Sequence, residues 1–200
     1  MKRECLILVD LQNDFLSGGA LAVPNGNEVV QVANRRMDDY ACVIATQDWH
    51  PATHRSFASQ HVGLAVGEEF LLGGLPQVAW PDHCIRGTWG AALAPRLRVD
   101  RIQRLITKGE HPQIDSYSAF FDNGRQQSTQ LDAYLQSRSI RSFDVIGLAT
   151  DYCVMATVLD GRHLGYDVSV IAQGCRGVDR NPGDSNRALD RMRHAGAMIV

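Results

Sequence analysis

The sequence has no Cys-x-x-Cys pair. Its five cysteines, Cys5, Cys42, Cys84, Cys153 and Cys175, are odd in number and scattered. That pattern speaks against a zinc knuckle, a thioredoxin-type redox centre and a disulfide framework. It is the usage expected of reduced thiols in a cytoplasmic protein. An excess of one charge is also lacking: 20 Lys and Arg stand against 22 Asp and Glu, for a formal net charge of −2. No like-charge block is present, so binding of nucleic acid by bulk electrostatics is not expected. Long hydrophobic runs are missing. The N-terminal MKRECLILVD starts basic, but its apolar stretch covers only residues 5–9 before Asp10. That is too short for a signal h-region or a membrane span, and no membrane contact is expected. Neither a linker nor a repeat divides the chain. Its 200 residues, 44% hydrophobic and 21% charged, predict one soluble domain over 1–200.

What is present is a series of short apolar, β-branched runs: CLILVD (5–10), ACVIAT (41–46), RLITK (104–108), FDVIGLA (143–149), DVSVIA (167–172) and AMIV (197–200). Near-continuous hydrophobicity fits parallel strands covered on both faces. Helical patterns fall between them at 28–40, 128–137, 152–164 and 184–194. Alternating strands and helices predict an α/β fold, three layers deep, around a mostly parallel sheet of about six strands. Residues 48–88 differ, being rich in Gly, Pro, His and Trp and weakly periodic. A stretch that long inside a compact domain is usually functional.

Ligands of open α/β sheets sit beyond the carboxyl ends of the strands. At those ends the sequence places Asp10, Asp48 with His50, Lys108, and the segment leading to Cys153. Cys153 lies where a strand gives way to a helix, and a helix N-terminus is expected to lower a thiol pKa. Alone it reads sooner as a buried structural cysteine, and its position and neighbours reverse that reading. Asp10 and Lys108 each end an apolar strand, where a charge is costly unless paired. A carboxylate, a cation and a thiol on three strand ends match the needs of covalent catalysis. Asp48 and His50, two apart on an extended segment, point the same way and offer O and N donors. His54, His61 and His83 follow, and spacing alone leaves a metal site and a polar lid both open. Phe15, Trp80 and Tyr117 read as core aromatics or as flat walls for a planar ring.

Six segments taken together resemble a known family: VDLQNDF (9–15), QDWHPATHRSF (47–57), AWPDHC (79–84), TKG (107–109), DSYSAF (115–120) and GLATDYCV (147–154). They look like those of the nicotinamidases, or pyrazinamidases, within the isochorismatase-like cysteine hydrolases. The resemblance implies an α/β, Rossmann-like domain that hydrolyses nicotinamide to nicotinate and ammonia in NAD salvage, through a cysteine thioester. It implies a triad of Asp10, Lys108 and Cys153, and an oxyanion hole at Ala149 and Cys153 with a cis Leu148–Ala149 bond. It further implies a ring pocket with Phe15, Trp80 and Tyr117, and one divalent ion on Asp48, His50 and His83. Zinc is the first choice, iron or manganese the alternatives, and His54 a further candidate ligand. Self-association is left open. Two other readings remain on the residues: a related cysteine amidohydrolase with a non-pyridine substrate, and a catalytically silent, metal-stabilised binding protein on the same fold.

Overall fold

The computed structural model describes residues 3–200. Along the chain run β1 (Arg3–Val9), α1 (Gly26–Arg36), β2 (Tyr40–Asp48), β3 (Glu69–Leu72), β4 (Leu75–Val78), β5 (Arg104–Lys108), α2 (Leu131–Ser137), β6 (Ser142–Leu148), α3 (Met155–His163), β7 (Asp167–Arg176), α4 (Asp184–His194) and β8 (Met198–Ile199). Six of the strands form one sheet in the order β5-β2-β1-β6-β7-β8, every neighbouring pair parallel. β1 and β6 flank the point where the winding reverses, so the crevice outside their carboxyl ends is where such a sheet takes its ligand. No helix among the described residues is long and apolar enough to cross a membrane.

Side-chain alternation along buried strands divides the core in two. Cys5, Ile7 and Val9 of β1 pack with Leu131 and Leu135 of α2, Val158 of α3, and Ala188 and Met192 of α4. Leu6 and Leu8 face the other way, onto Val29, Val30 and Ala33 of α1 and onto Cys84, Ala91, Ala94 and Leu97 from the long connection. Burying each such aliphatic side chain contributes about 1.5–3 kcal/mol, and both faces are covered, which is why the strand sequences lack polar alternation.

The structure differs from the sequence expectations in three places. The first helix ends at Arg36, because Met37–Asp39 form a single 3-10 turn that hands the chain to β2. The helix expected from residue 152 opens earlier, at Thr150, as one wide π turn in which the Val154 N–H reaches back to the Ala149 carbonyl (3.1 Å). The weakly periodic 48–88 stretch contains an antiparallel hairpin, β3 and β4.

Candidate active site and metal centre

Sheet register creates the first contacts. Asp48 and Lys108 are partners at the ends of β2 and β5, and Asp10 directly follows β1. Lys108 is fully buried and gathers its neighbours around one ammonium. Its Nζ lies 2.8 Å from Asp10 Oδ2, donates to Asp48 Oδ1 and to the Ser116 carbonyl (3.0 Å), and lies 3.5 Å from Cys153 Sγ. Asp10 has a left-handed backbone (φ 52°). Thr46 holds it from the next strand, its Oγ1 accepting from the Asp10 N–H (3.1 Å) and donating to Asp10 Oδ1 (2.5 Å). Gln12 pins Asp48 by its backbone, accepting from the Asp48 N–H and donating to the Asp48 carbonyl (both 2.8 Å).

Burial and charge compete here. Burial lifts Asp10 above the usual carboxylate range against the pull of Lys108. Burial opposes ionisation of Asp48 as well, but Lys108 and His50 outweigh it and hold that carboxyl well below the usual range. For Lys108, burial is overridden by Asp10 and Asp48, so the ammonium persists far above ordinary lysine values. The Cys153 thiol is pushed well up, by burial first and by Asp10 and Asp48 beyond the opposing pull of Lys108. The lowered thiol pKa expected from the helix N-terminus is therefore corrected: burial outweighs it, and the Asp10 carboxyl stands beside the thiol as a proton acceptor.

Metal-ligand atoms of Asp48, His50 and His83 all lie within 4.8 Å of one another. Backbone carbonyls fix both imidazoles. His50 Nδ1 donates to Gly109 and His83 Nδ1 to Pro81, each at 2.8 Å, which leaves both Nε2 lone pairs available. A ligand histidine is normally anchored through its second nitrogen in this way. Against burial, Asp48 draws His50 above its ordinary value, while burial and the charge of His50 lower His83 to about 4. The cluster gathers one carboxylate and two imidazole donors, a set that suits a borderline divalent ion. His54 is buried nearby, its ring 4.4 Å from that of His50. Both its nitrogens are engaged: Nδ1 accepts from the Ser56 N–H (3.2 Å), and Nε2 faces the Ile114 carbonyl (3.3 Å). His54, His50 and Asp115 also bring ligand atoms within 4.8 Å of one another, so His54 keeps its place as a further candidate donor. Asp10, Asp48 and Cys153 also form a close trio, but the Lys108 ammonium already sits among them.

A small cavity opens onto these groups, lined by Phe15, Leu21, Asp48, Trp80, His83, Asp115, Tyr117, Ala149, Tyr152, Cys153 and Val178. Trp80 meets Tyr152 edge to face, with ring centres 4.9 Å apart, and donates through Nε1 to the Tyr117 hydroxyl (3.0 Å). The Leu148–Ala149 bond is cis. Of the expected site residues, Phe15, Asp48, Trp80, His83, Tyr117, Ala149 and Cys153 line this cavity, while Asp10, Lys108, His50 and His54 are buried outside its lining. Sequence reasoning missed Tyr152, Leu21, Val178 and Asp115 among the walls, and Thr46, Gln12 and Ser116 among the supports. Tyr152 adjoins Cys153 and could have been found by proximity. Val178 and Leu21 come from loops without any chemical signature.

A family model described as the isochorismatase domain matches residues 4–200. The chain is 54% identical over 203 residues to the nicotinamidase of Escherichia coli (strain K12), covering 100% of this chain and 95% of that protein. Its fold superposes on a nicotinamidase/pyrazinamidase from Acinetobacter baumanii with a TM-score of 0.96 and 38% identity, covering 100% and 96% of the two chains. A pyrazinamidase from Pyrococcus horikoshii solved in complex with zinc matches with a TM-score of 0.80 and 34% identity over 98% of both chains.

Proposed function

The chain belongs to the isochorismatase family, and we infer that its reaction is the hydrolysis of nicotinamide to nicotinate and ammonia, with pyrazinamide-type analogues as further substrates. This is an NAD salvage step. A cytoplasmic setting suits its five free cysteines. The observation that carries the reading is that Cys153, grouped with Lys108 and Asp10, lines an aromatic-walled cavity that also reaches Asp48 and His83.

Asp10 takes the thiol proton as Cys153 Sγ attacks the carboxamide carbon, so the nucleophile is generated in the act of attack. Lys108 stays charged throughout and offsets the anion that forms between Asp10 and the sulfur. Backbone N–H groups of Ala149 and Cys153 receive the carbonyl oxygen as it becomes an oxyanion. Asp10 then returns its proton to the departing nitrogen. Ammonia leaves and a thioester remains. Water, deprotonated by Asp10, attacks that thioester; nicotinate departs and the thiol is restored. Phe15, Trp80 and Tyr117 hold the planar ring. Asp48, His50 and His83 would hold the divalent ion, zinc by preference although such a donor set also accepts iron or manganese. When bound, that ion supplies a Lewis acid for the ring nitrogen and orients the carboxamide.

Ammonia release from nicotinamide by the purified, metal-replete protein tests the reading, with Cys153→Ala as the control. Equal amounts of nicotinate and ammonia from the wild type, and none from the variant, are expected. No release by the wild type sinks it.

A further inference from the structure

The cavity has a wall that none of the catalytic groups holds in place. Trp80 belongs to the excursion that carries β3 and β4, and Tyr152 belongs to the nucleophile turn; the two abut edge to face in the cavity wall. A loop after β7 lies beside both. That loop is fixed from two sides. The buried Asp151 carboxylate, in the nucleophile turn, accepts from the N–H groups of Val178 (3.0 Å) and Asp179 (2.8 Å). Asp179 has a left-handed backbone (φ 49°) and accepts from the Ser185 N–H (2.8 Å) and hydroxyl (2.7 Å) at the start of α4. Gly177 is required by close approach, since a Cβ there would lie 1.9 Å from Ser185 Oγ. The loop is a rigid post, and Val178 on it faces the cavity.

Arg180 projects from that post across to the excursion. Its Nη2 donates to the Gly67 carbonyl (2.5 Å), while Nη1 lies 3.5 Å from both the Tyr152 hydroxyl and Glu69 Oε1. Gly67 in turn donates its N–H to the Ala79 carbonyl (2.8 Å), and Ala79 precedes Trp80. One guanidinium therefore ties the backbone that positions Trp80 to the hydroxyl of Tyr152.

We propose that Arg180 is a positioning residue for the ring pocket: by latching Gly67 to Tyr152 it holds Trp80 and Tyr152 together as one wall, and so sets the affinity and size selectivity for a flat aromatic carboxamide. This rests on the amidase reading above. Arg180 touches none of the reacting groups, so its effect belongs in binding and not in chemistry. A bidentate, planar donor suits two acceptors in different directions, which a lysine serves less well.

The test combines steady-state kinetics with hydrogen exchange. Arg180→Ala should raise KM for nicotinamide by roughly tenfold, the loss of about one charge-assisted hydrogen bond, and leave kcat within about twofold. Its preference for nicotinamide over a ring-methylated nicotinamide should fall. Amide exchange over residues 64–80 should quicken in the substrate-free variant. Arg180→Lys should be intermediate, which covers the case in which the alanine variant folds poorly. Glu69→Ala, which removes only an exposed partner, should match the wild type. An unchanged KM or unchanged exchange in Arg180→Ala overturns the proposal. Should the wild type release no ammonia from nicotinamide, the amidase reading falls, and exchange over 64–80 alone decides the latch.

Discussion

Asp48 and Lys108, register partners on adjacent strands, are ion-paired at their tips, and this pair joins the thiol site to the histidine cluster. Asp48 Oδ1 accepts from Lys108 while Oδ2 lies 3.6 Å from His50 Nε2. The two candidate centres therefore share one carboxylate. Asp48→Asn should weaken metal binding and also slow turnover of benzamide, which has no ring nitrogen for a metal, by roughly tenfold or more. His83→Ala should weaken metal binding with far less effect on benzamide. Chelator competition and ammonia release measure the two. Full benzamide turnover in Asp48→Asn would show that the centres are independent.

Lys108 is the one cation between two buried carboxylates. Lys108→Ala leaves Asp10 and Asp48 buried without it, a loss of about 3–5 kcal/mol of stability. Denaturant unfolding would reveal this as a lowered midpoint; a midpoint equal to the wild type's would mean the charges are not desolvated. Asp10→Asn keeps the shape but removes the proton acceptor, so kcat should fall much more than KM rises.

The pH profile follows from the directions of the shifts. Asp10 must be ionised to accept the thiol proton, and burial raises its pKa. Activity should thus fall as pH drops through a value above the ordinary carboxylate range, with full activity on the alkaline side of it. Lys108 and Cys153 are both held well above their ordinary values, so no alkaline gain from a free thiolate is expected. Stability behaves differently. The folded-state pKa of Asp48 is depressed, so its contribution is complete above ~4, the unfolded value, and is lost as pH falls further. A pH series of kcat/KM and of unfolding midpoints checks both; a rate that climbs through the range of a free thiol would favour a pre-formed thiolate.

Asp10 and Lys108 were legible as candidates because each is a charged group at the end of an apolar strand, a placement with few structural excuses, and Cys153 because it sits in the turn after another. The six parallel strands were legible from uninterrupted β-branched runs. The hairpin β3–β4 was not, since its strands are four residues each, too short to show clear alternation. The state of Cys153 was misjudged for a different reason. A helix N-terminus is visible in sequence, but the burial that raises the thiol, and the Asp10 and Asp48 carboxylates that add to it, come from the packing of distant segments. The roles of Thr46 and Gln12 come from register between strands, which a single sequence does not display.

Gly109, next to Lys108, gives a test of the metal centre that leaves every donor in place. Its backbone is left-handed (φ 70°), its carbonyl accepts from His50 Nδ1, and a Cβ on it would lie 2.4 Å from His50 Cε1. Gly109→Ala should force the imidazole aside and reduce metal affinity by ~10–100-fold, the range for disturbing a ligand's outer contacts. Metal titration against a competing chelator measures it. Wild-type affinity would mean that His50 is not a ligand.

Metal removal should divide substrates by their chemistry. Nicotinamide offers one lone pair beyond its amide, on the ring nitrogen, and a borderline divalent ion accepts such a donor. Asp48 and His83 line the same cavity as Cys153, so an ion held there with His50 would fix the ring while the carboxamide meets the thiol. Misplacing a reacting group by ~1 Å can cost ~100-fold in rate. Benzamide has the same shape without the ring nitrogen and must rely on Phe15, Trp80 and Tyr117. Chelation should therefore weaken nicotinamide binding strongly and benzamide binding little, read by calorimetry on Cys153→Ala so that neither ligand turns over. Equal weakening of both would make the ion a structural support for His50 and His83, and the ring nitrogen would then have no partner in the site.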